Sequence, residues 1–155
     1  MLSPVREVSN QLFHIPENSI QKNLQVVRDI LAPYGFDIEY RPKYKYMEPD
    51  TFGTYFPVGQ KKANIFPIAL NPELFLRQYS GDEEKLDREV LVTILHEAGH
   101  GIVNFIRRTI DVNFLEDDHK EENAVEEFAW YHCGMCEASY LNDYCFQNID
   151  SRNER

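Results

Sequence analysis

Apolar Ile20, Leu24, Val27 and Leu31 recur every three or four positions, the period of one face of a helix. Asn18 or Ser19 can cap its start and Pro33 with Gly35 follow its end, so a helix of about four turns is predicted there. The pattern then changes. "FDIEYR" alternates at period two, and "TFGTYFPV" and "ANIFPIAL" are aromatic and β-branched runs separated by the turn-like "GQKK", which predicts three strands in a small mixed or antiparallel sheet. Pro67 cannot donate a ladder hydrogen bond, so strand 63–70 is expected at a sheet edge or ending at the proline. A long helix over 82–108 and another over 119–140, with a break at Gly134, complete an α+β chain. No repeat, linker or shift in composition divides it, so residues 1–155 are expected to form one domain.

The helix 82–108 is apolar around most of its circumference, through Leu91, Ile94, Leu95, Ala98, Ile102, Val103, Phe105 and Ile106, and belongs inside the fold. Its polar sector holds Thr93, His96, Glu97, His100 and Asn104. At about 100° per residue, His96 and His100 of "HEAGH" lie some 40° apart and about one turn apart along the axis, so their rings can meet at one point. Buried imidazoles and a carboxylate need partners. A zinc ion supplies them: it takes neutral imidazole nitrogens in a tetrahedral shell, and a catalytic site leaves one position to water. Glu97, offset from the ion, can then reach that water as general base. Gly99 and Gly101 each cost about 1 kcal/mol of helix propensity relative to Ala, and close approach of another backbone is expected to explain them.

The third ligand has to come from elsewhere. The extended motif of the metzincin class would need glycine at 103 and histidine at 106, where Val103 and Ile106 stand. Downstream lies "ENAVEEFA", starting at Glu122. Together with "HEAGH" it is similar to the gluzincin-like pattern Glu-x-x-Ala-Asp/Asn-x-Phe-Ala, and the pair resembles most the ImmA/IrrE-type metallopeptidases, small cytosolic zinc proteins. That resemblance covers about residues 53–130 and implies a zincin-like fold, with a sheet, an active-site helix and a C-terminal helix that completes the site. It implies Glu122 as the third zinc ligand; Glu126 and His119 are the rival donors. Phe128 and Ala129 match the pattern's end, while Val125 replaces its alanine and Glu126 its Asp/Asn, the position that would hold a zinc histidine from behind. The expected activity is peptide-bond hydrolysis in a protein or peptide substrate, with a regulatory role. A zincin-like module that binds metal and a partner without catalysis is the alternative.

Charge and cysteines narrow the setting. Sixteen Lys and Arg against 26 Asp and Glu give a formal net charge of −10, which argues against a partner that is nucleic acid. "RPKYKY" at 41–46 is the one basic cluster and is expected to be a solvated hairpin. No run of about twenty apolar residues suggests a membrane span, and the opening "MLSPVREVSNQLFHIPENS" lacks an apolar signal-like segment. Three cysteines, Cys133, Cys136 and Cys145, suit a reducing compartment better than a disulfide framework, so a cytoplasmic protein is expected, of unspecified oligomeric state. With His132 the cysteines could instead form a second metal site, and "CGMC" could do redox work, although packing is the default. Tyr131, His132, Tyr140 and Tyr144 are candidate oxyanion donors. The backbone of residues 63–66 is a candidate edge for strand addition of a peptide.

Overall fold

A computed structural model describes residues 4–42 and 47–149, with side chains from residue 16 onward. The basic segment 43–46 and the tail "SRNER" lie outside the described residues. Among the described residues the architecture is α+β: five α-helices, one of them long and central, and a three-stranded mixed sheet. Among the described residues, no helix is long and apolar enough to cross a membrane.

The first helix, α1 (Pro4–Leu31), starts well before the predicted cap. Its buried stripe is the predicted one, Ile20, Leu24, Val27 and Leu31. Ser19 lies inside the helix and does not cap it; its hydroxyl donates to Asp87 Oδ1 at 2.7 Å. Asp87 also accepts from Asn23 Nδ2 at 3.1 Å and from Lys22 Nζ at 2.6 Å. Burial opposes its ionisation, but the Lys22, Ser19 and Asn23 hydrogen bonds outweigh it and hold the carboxyl below the ordinary aspartate value of 3.8. Asp87→Asn is therefore expected to destabilise the fold by about 1–2 kcal/mol at pH 7, chiefly through the interrupted Ser19 and Asn23 bonds, since the exposed Lys22 pair adds little. A depressed folded pKa contributes stability above the unfolded value and loses it as pH falls through the folded one. The urea midpoints of wild type and variant should thus converge below about pH 3.8; a gap that persists in acid would refute the assignment.

The strands are β1 (Asp37–Pro42), β2 (Gly53–Tyr55) and β3 (Ile65–Leu70), in the order β1-β3-β2. β3 is parallel to β1, with Ile38 opposite Phe66, and antiparallel to β2, with Tyr55 opposite Ile68. The strand expected at the edge is thus the central one, and residues 63–66 do not supply a free edge. Alternation explains why the proline is tolerated. The Asn64 carbonyl accepts from Asp37 N on the β1 side, and the Pro67 carbonyl accepts from Phe56 N on the β2 side. Pro67 therefore turns its missing N–H toward β2, where the strand ends at Tyr55. The free edge beside the long helix belongs to β2. Phe52 and Phe56 bond toward β3, so Gly53 and Tyr55 direct their backbone groups outward.

A helix not predicted from the sequence follows the sheet. In α2 (Pro72–Tyr79), the Asn71 side chain accepts from Leu74 N and Pro72 occupies the first turn, an Asn-Pro start signal. Next comes α3 (Glu83–Thr109), within one residue of the predicted bounds at each end. Asp82 caps its start by accepting from Lys85 N, and Arg107 and Arg108 occupy its last turn, complementing the helix dipole. It packs against α1, α2, β2 and β3. Gly101 lies under the Phe66 ring and Gly99 under Val125, so side chains, not another backbone, require the two glycines.

The helix predicted over 119–140 stops early, as α4 (Asp118–His132), and a further helix not predicted from the sequence, α5 (Tyr140–Asn148), begins where it was expected to end. Gly134 takes φ +78°, a conformation that costs glycine little. Met135 N donates to Trp130 O and Gly134 N to Tyr131 O, the Schellman pattern that ends a helix. Through its buried Val125, Phe128 and Ala129, α4 joins the core against α3.

Candidate metal centre

The close fit of α4 on α3 determines what meets at the polar sector of α3. With no side chain at Gly99, Val125 of α4 packs directly on α3, and Glu122, one turn earlier, reaches the two histidines. Glu122 Oε1 lies 2.8 Å from His96 Nε2 and 3.2 Å from His100 Nε2, and the two Nε2 atoms are 3.3 Å apart. Among the described residues, His96, His100 and Glu122 form the one group of three His, Cys, Asp or Glu donors suited to a metal ion, all within 4.8 Å of one another. Zinc bonds of about 2.0–2.1 Å in a tetrahedron put neighbouring donors about 3.3–3.4 Å apart. The triangle therefore fits a divalent ion with small movements of Glu122, and the N2O donor set suits zinc. The rivals fall outside it: Glu126 is exposed further along α4, and His119 lies on its first turn.

A carboxylate does hold a histidine from behind, but it is not Glu126. Glu121 Oε2 lies 2.6 Å from His100 Nδ1, and Glu121 Oε1 accepts from Arg107 at 2.9 Å. The acidic run "KEENAVEE" offers several carboxylates, and only the angular placement of α4 against α3 selects Glu121. Burial would raise its pKa, but the His100 hydrogen bond and the Arg107 charge outweigh this and hold it below the ordinary glutamate value. His100 is shifted the opposite way. Burial opposes its protonation, yet the Glu121 hydrogen bond and the charges of Glu97 and Glu122 raise its pKa overall. Three carboxylates around two imidazoles make a site that favours positive charge, as a cation-binding pocket must.

Glu97 stands beside this triangle. Its Oε1 accepts from the outward N–H of Tyr55 on β2 at 2.8 Å, which anchors one oxygen of a carboxylate that lines the cleft. Burial raises its pKa despite the opposing charges of His96 and His100 and the Tyr55 hydrogen bond, a direction that suits a base working near neutrality. Clefts open on both sides of it. One is lined by Tyr55, Pro57, His100, Asn104, Arg107 and Glu121; the other, more apolar, by Phe52, Gly53, Val92, Thr93 and His96. In the first, the Tyr55 hydroxyl accepts from Asn104 Nδ2 at 2.9 Å and donates to Gln60 Oε1. Sequence patterning did not single out Tyr55, Arg107 or Glu121 for the site. Asn104, on the polar sector of the helix, was the one signal.

The remaining candidates pack elsewhere. Tyr140 stacks on Phe114 and Tyr144 covers the same ring at 4.5 Å. His132 bonds Asn142 at 3.0 Å and sits edge-on to Phe128, with Tyr131 against it. None of the four lines either cleft. Cys133, Cys136 and Cys145 are free thiols, and no metal-suited group forms from them among the described residues. Burial raises the Cys133 thiol and pushes Cys145 up to about 12, the reverse of the lowered pKa that a redox thiol needs.

Comparisons of the chain with protein-family models, with curated proteins and with solved structures returned no match. The case for a metal centre therefore rests on these residues and distances.

Proposed function

We propose that this protein is a cytoplasmic, single-domain zinc metallopeptidase of zincin-like architecture that cleaves a protein or peptide substrate. One observation carries the reading: the two helix-borne imidazoles and Glu122 converge on a point beside Glu97 in an open cleft, with the Glu122 side chain 49% exposed. A structural zinc site is closed by four protein donors; three donors and solvent access fit a working site instead. His96, His100 and Glu122 would hold the ion, which supplies an acidified water, its pKa lowered toward about 7, and polarises a carbonyl. Glu97 takes the proton at Oε2 while the Tyr55 N–H holds Oε1 in place, and afterwards returns it to the leaving amine. The Tyr55 hydroxyl and the Asn104 amide, which line the cleft on one side of Glu97, are the groups this reading assigns to stabilising a developing oxyanion. An extended peptide would run along the free edge of β2, bonding the outward backbone groups of Gly53.

Purified protein is expected to take up one zinc per chain and to hydrolyse members of a peptide library. A strong chelator should stop the hydrolysis and added zinc restore it. Stoichiometric zinc without turnover on any peptide or on casein would favour the non-catalytic module, and absence of metal uptake would overturn both.

A further inference from the structure

Arg107, near the end of α3, binds both the loop that precedes α4 and a carboxylate of α4. Its Nε donates to the Phe114 carbonyl at 2.7 Å, and one Nη donates both to the Leu115 carbonyl and to Glu121 Oε1, the latter at 2.9 Å. Leu115 has φ +46°, a left-handed conformation that a leucine adopts only against steric cost. The loop it belongs to leads directly into the Asp117 cap of α4, so one guanidinium holds a strained turn, the start of α4 and the Glu121 carboxylate together. Glu121 in turn meets His100 Nδ1 at 2.6 Å. A carboxylate at Nδ1 keeps the proton there and leaves the Nε2 lone pair free for a metal. Among the described residues, no equivalent chain stands behind His96.

We propose that Arg107 is a positioning residue for the metal centre: through Glu121 it fixes the tautomer and ring orientation of His100, and through the Phe114 and Leu115 carbonyls it sets where α4 delivers Glu122. The assignment rests on the metal-centre reading but not on peptidase activity. Arginine is suited to the task because its planar fork bonds a carboxylate and carbonyls at fixed angles. A lysine would keep the charge and lose the geometry.

The test compares zinc affinity, by competition with a chromophoric chelator, for wild type, Arg107→Lys, Arg107→Gln and Glu121→Gln. Each variant is expected to bind zinc about 10–100-fold more weakly, the range for loss of a residue that orients a ligand. Arg107→Gln combined with Glu121→Gln should be little worse than the stronger single change, because both act on one chain of contacts. Nitrogen-15 spectra of the zinc-loaded protein separate positioning from general damage: the His100 Nδ1–H signal should shift or broaden in each variant while that of His96 stays in place. Should the Arg107 variants fail to fold, Glu121→Gln alone decides. Wild-type affinity in the folded variants, or equal disturbance of both histidines, overturns the proposal. Failure of the wild type to bind zinc at all overturns the metal-centre reading instead.

Discussion

Glu97→Gln is expected to lower kcat for peptide hydrolysis by about 10²–10⁴-fold, the usual range for loss of a general base, while one zinc per chain is retained. Glutamine at 97 keeps the shape of the side chain, and its amide oxygen can still accept the Tyr55 N–H that holds Glu97 Oε1. What disappears is the proton acceptor at the second oxygen. None of the three metal donors is altered, and KM should change little, because Glu97 is asked to act on water and not on the ground-state peptide. The informative readings are kcat and metal content on the same preparation. Turnover at the wild-type rate would remove Glu97 from the chemistry. Lost turnover accompanied by lost zinc would show that the carboxylate supports the site electrostatically and would leave its role as a base without support.

The residues behind this prediction differ in how visible they were before any coordinates. The "HEAGH" turn was legible because both chemistry and placement are local: i, i+4 spacing puts the imidazoles side by side, and the Asp82 cap and the basic last turn of Arg107 and Arg108 mark the ends of the helix. Glu122 was reached by resemblance to a family pattern. Glu121 was missed, because choosing among neighbouring carboxylates requires the rotation of one helix about its axis relative to another. That rotation is set by Val125 nesting at Gly99, a long-range fit that no periodicity encodes. The sheet shows the same limit. Strand identities were readable from alternation, but the order β1-β3-β2 depends on which neighbour β3 finds, and the proline rule misled because it concerns one side of a strand only. A proline facing the short β2, past its last paired residue, loses almost nothing. The free edge beside Glu97 therefore moved from residues 63–66 to Gly53 and Tyr55, and with it the expected path of a bound peptide.

Gly101→Ala is expected to destabilise the fold by about 1–3 kcal/mol, the range for overpacking a filled core, although alanine is the better helix former by about 1 kcal/mol. A Cβ at 101 would stand 2.4 Å from Phe66 Cγ and 2.7 and 2.8 Å from its two Cδ atoms, so the ring has to move. It has little room. Phe66 is wholly buried, tilted against Phe36 at 5.2 Å and edge-on to Tyr55 at 6.1 Å, and it lies in the central strand, paired on both sides. For a chain of this size each kcal/mol corresponds to about 2–4 °C, so the melting temperature should fall by roughly 2–12 °C. Gly81→Ala is the control, since nothing lies within 4 Å of that position, and it should be neutral or slightly stabilising. Phe66→Leu tests the cause: in the Gly101→Ala background it should cost less than it does alone, a coupling that only direct contact produces. His100 precedes Gly101 on α3, and Tyr55 leans on Phe66 while donating to Glu97, so the same displacement should weaken zinc binding as well. A Gly101→Ala protein with wild-type stability would show that α3 can stand off from β3 without loss, and the packing that aligns the metal helix with the β2 edge would need another origin.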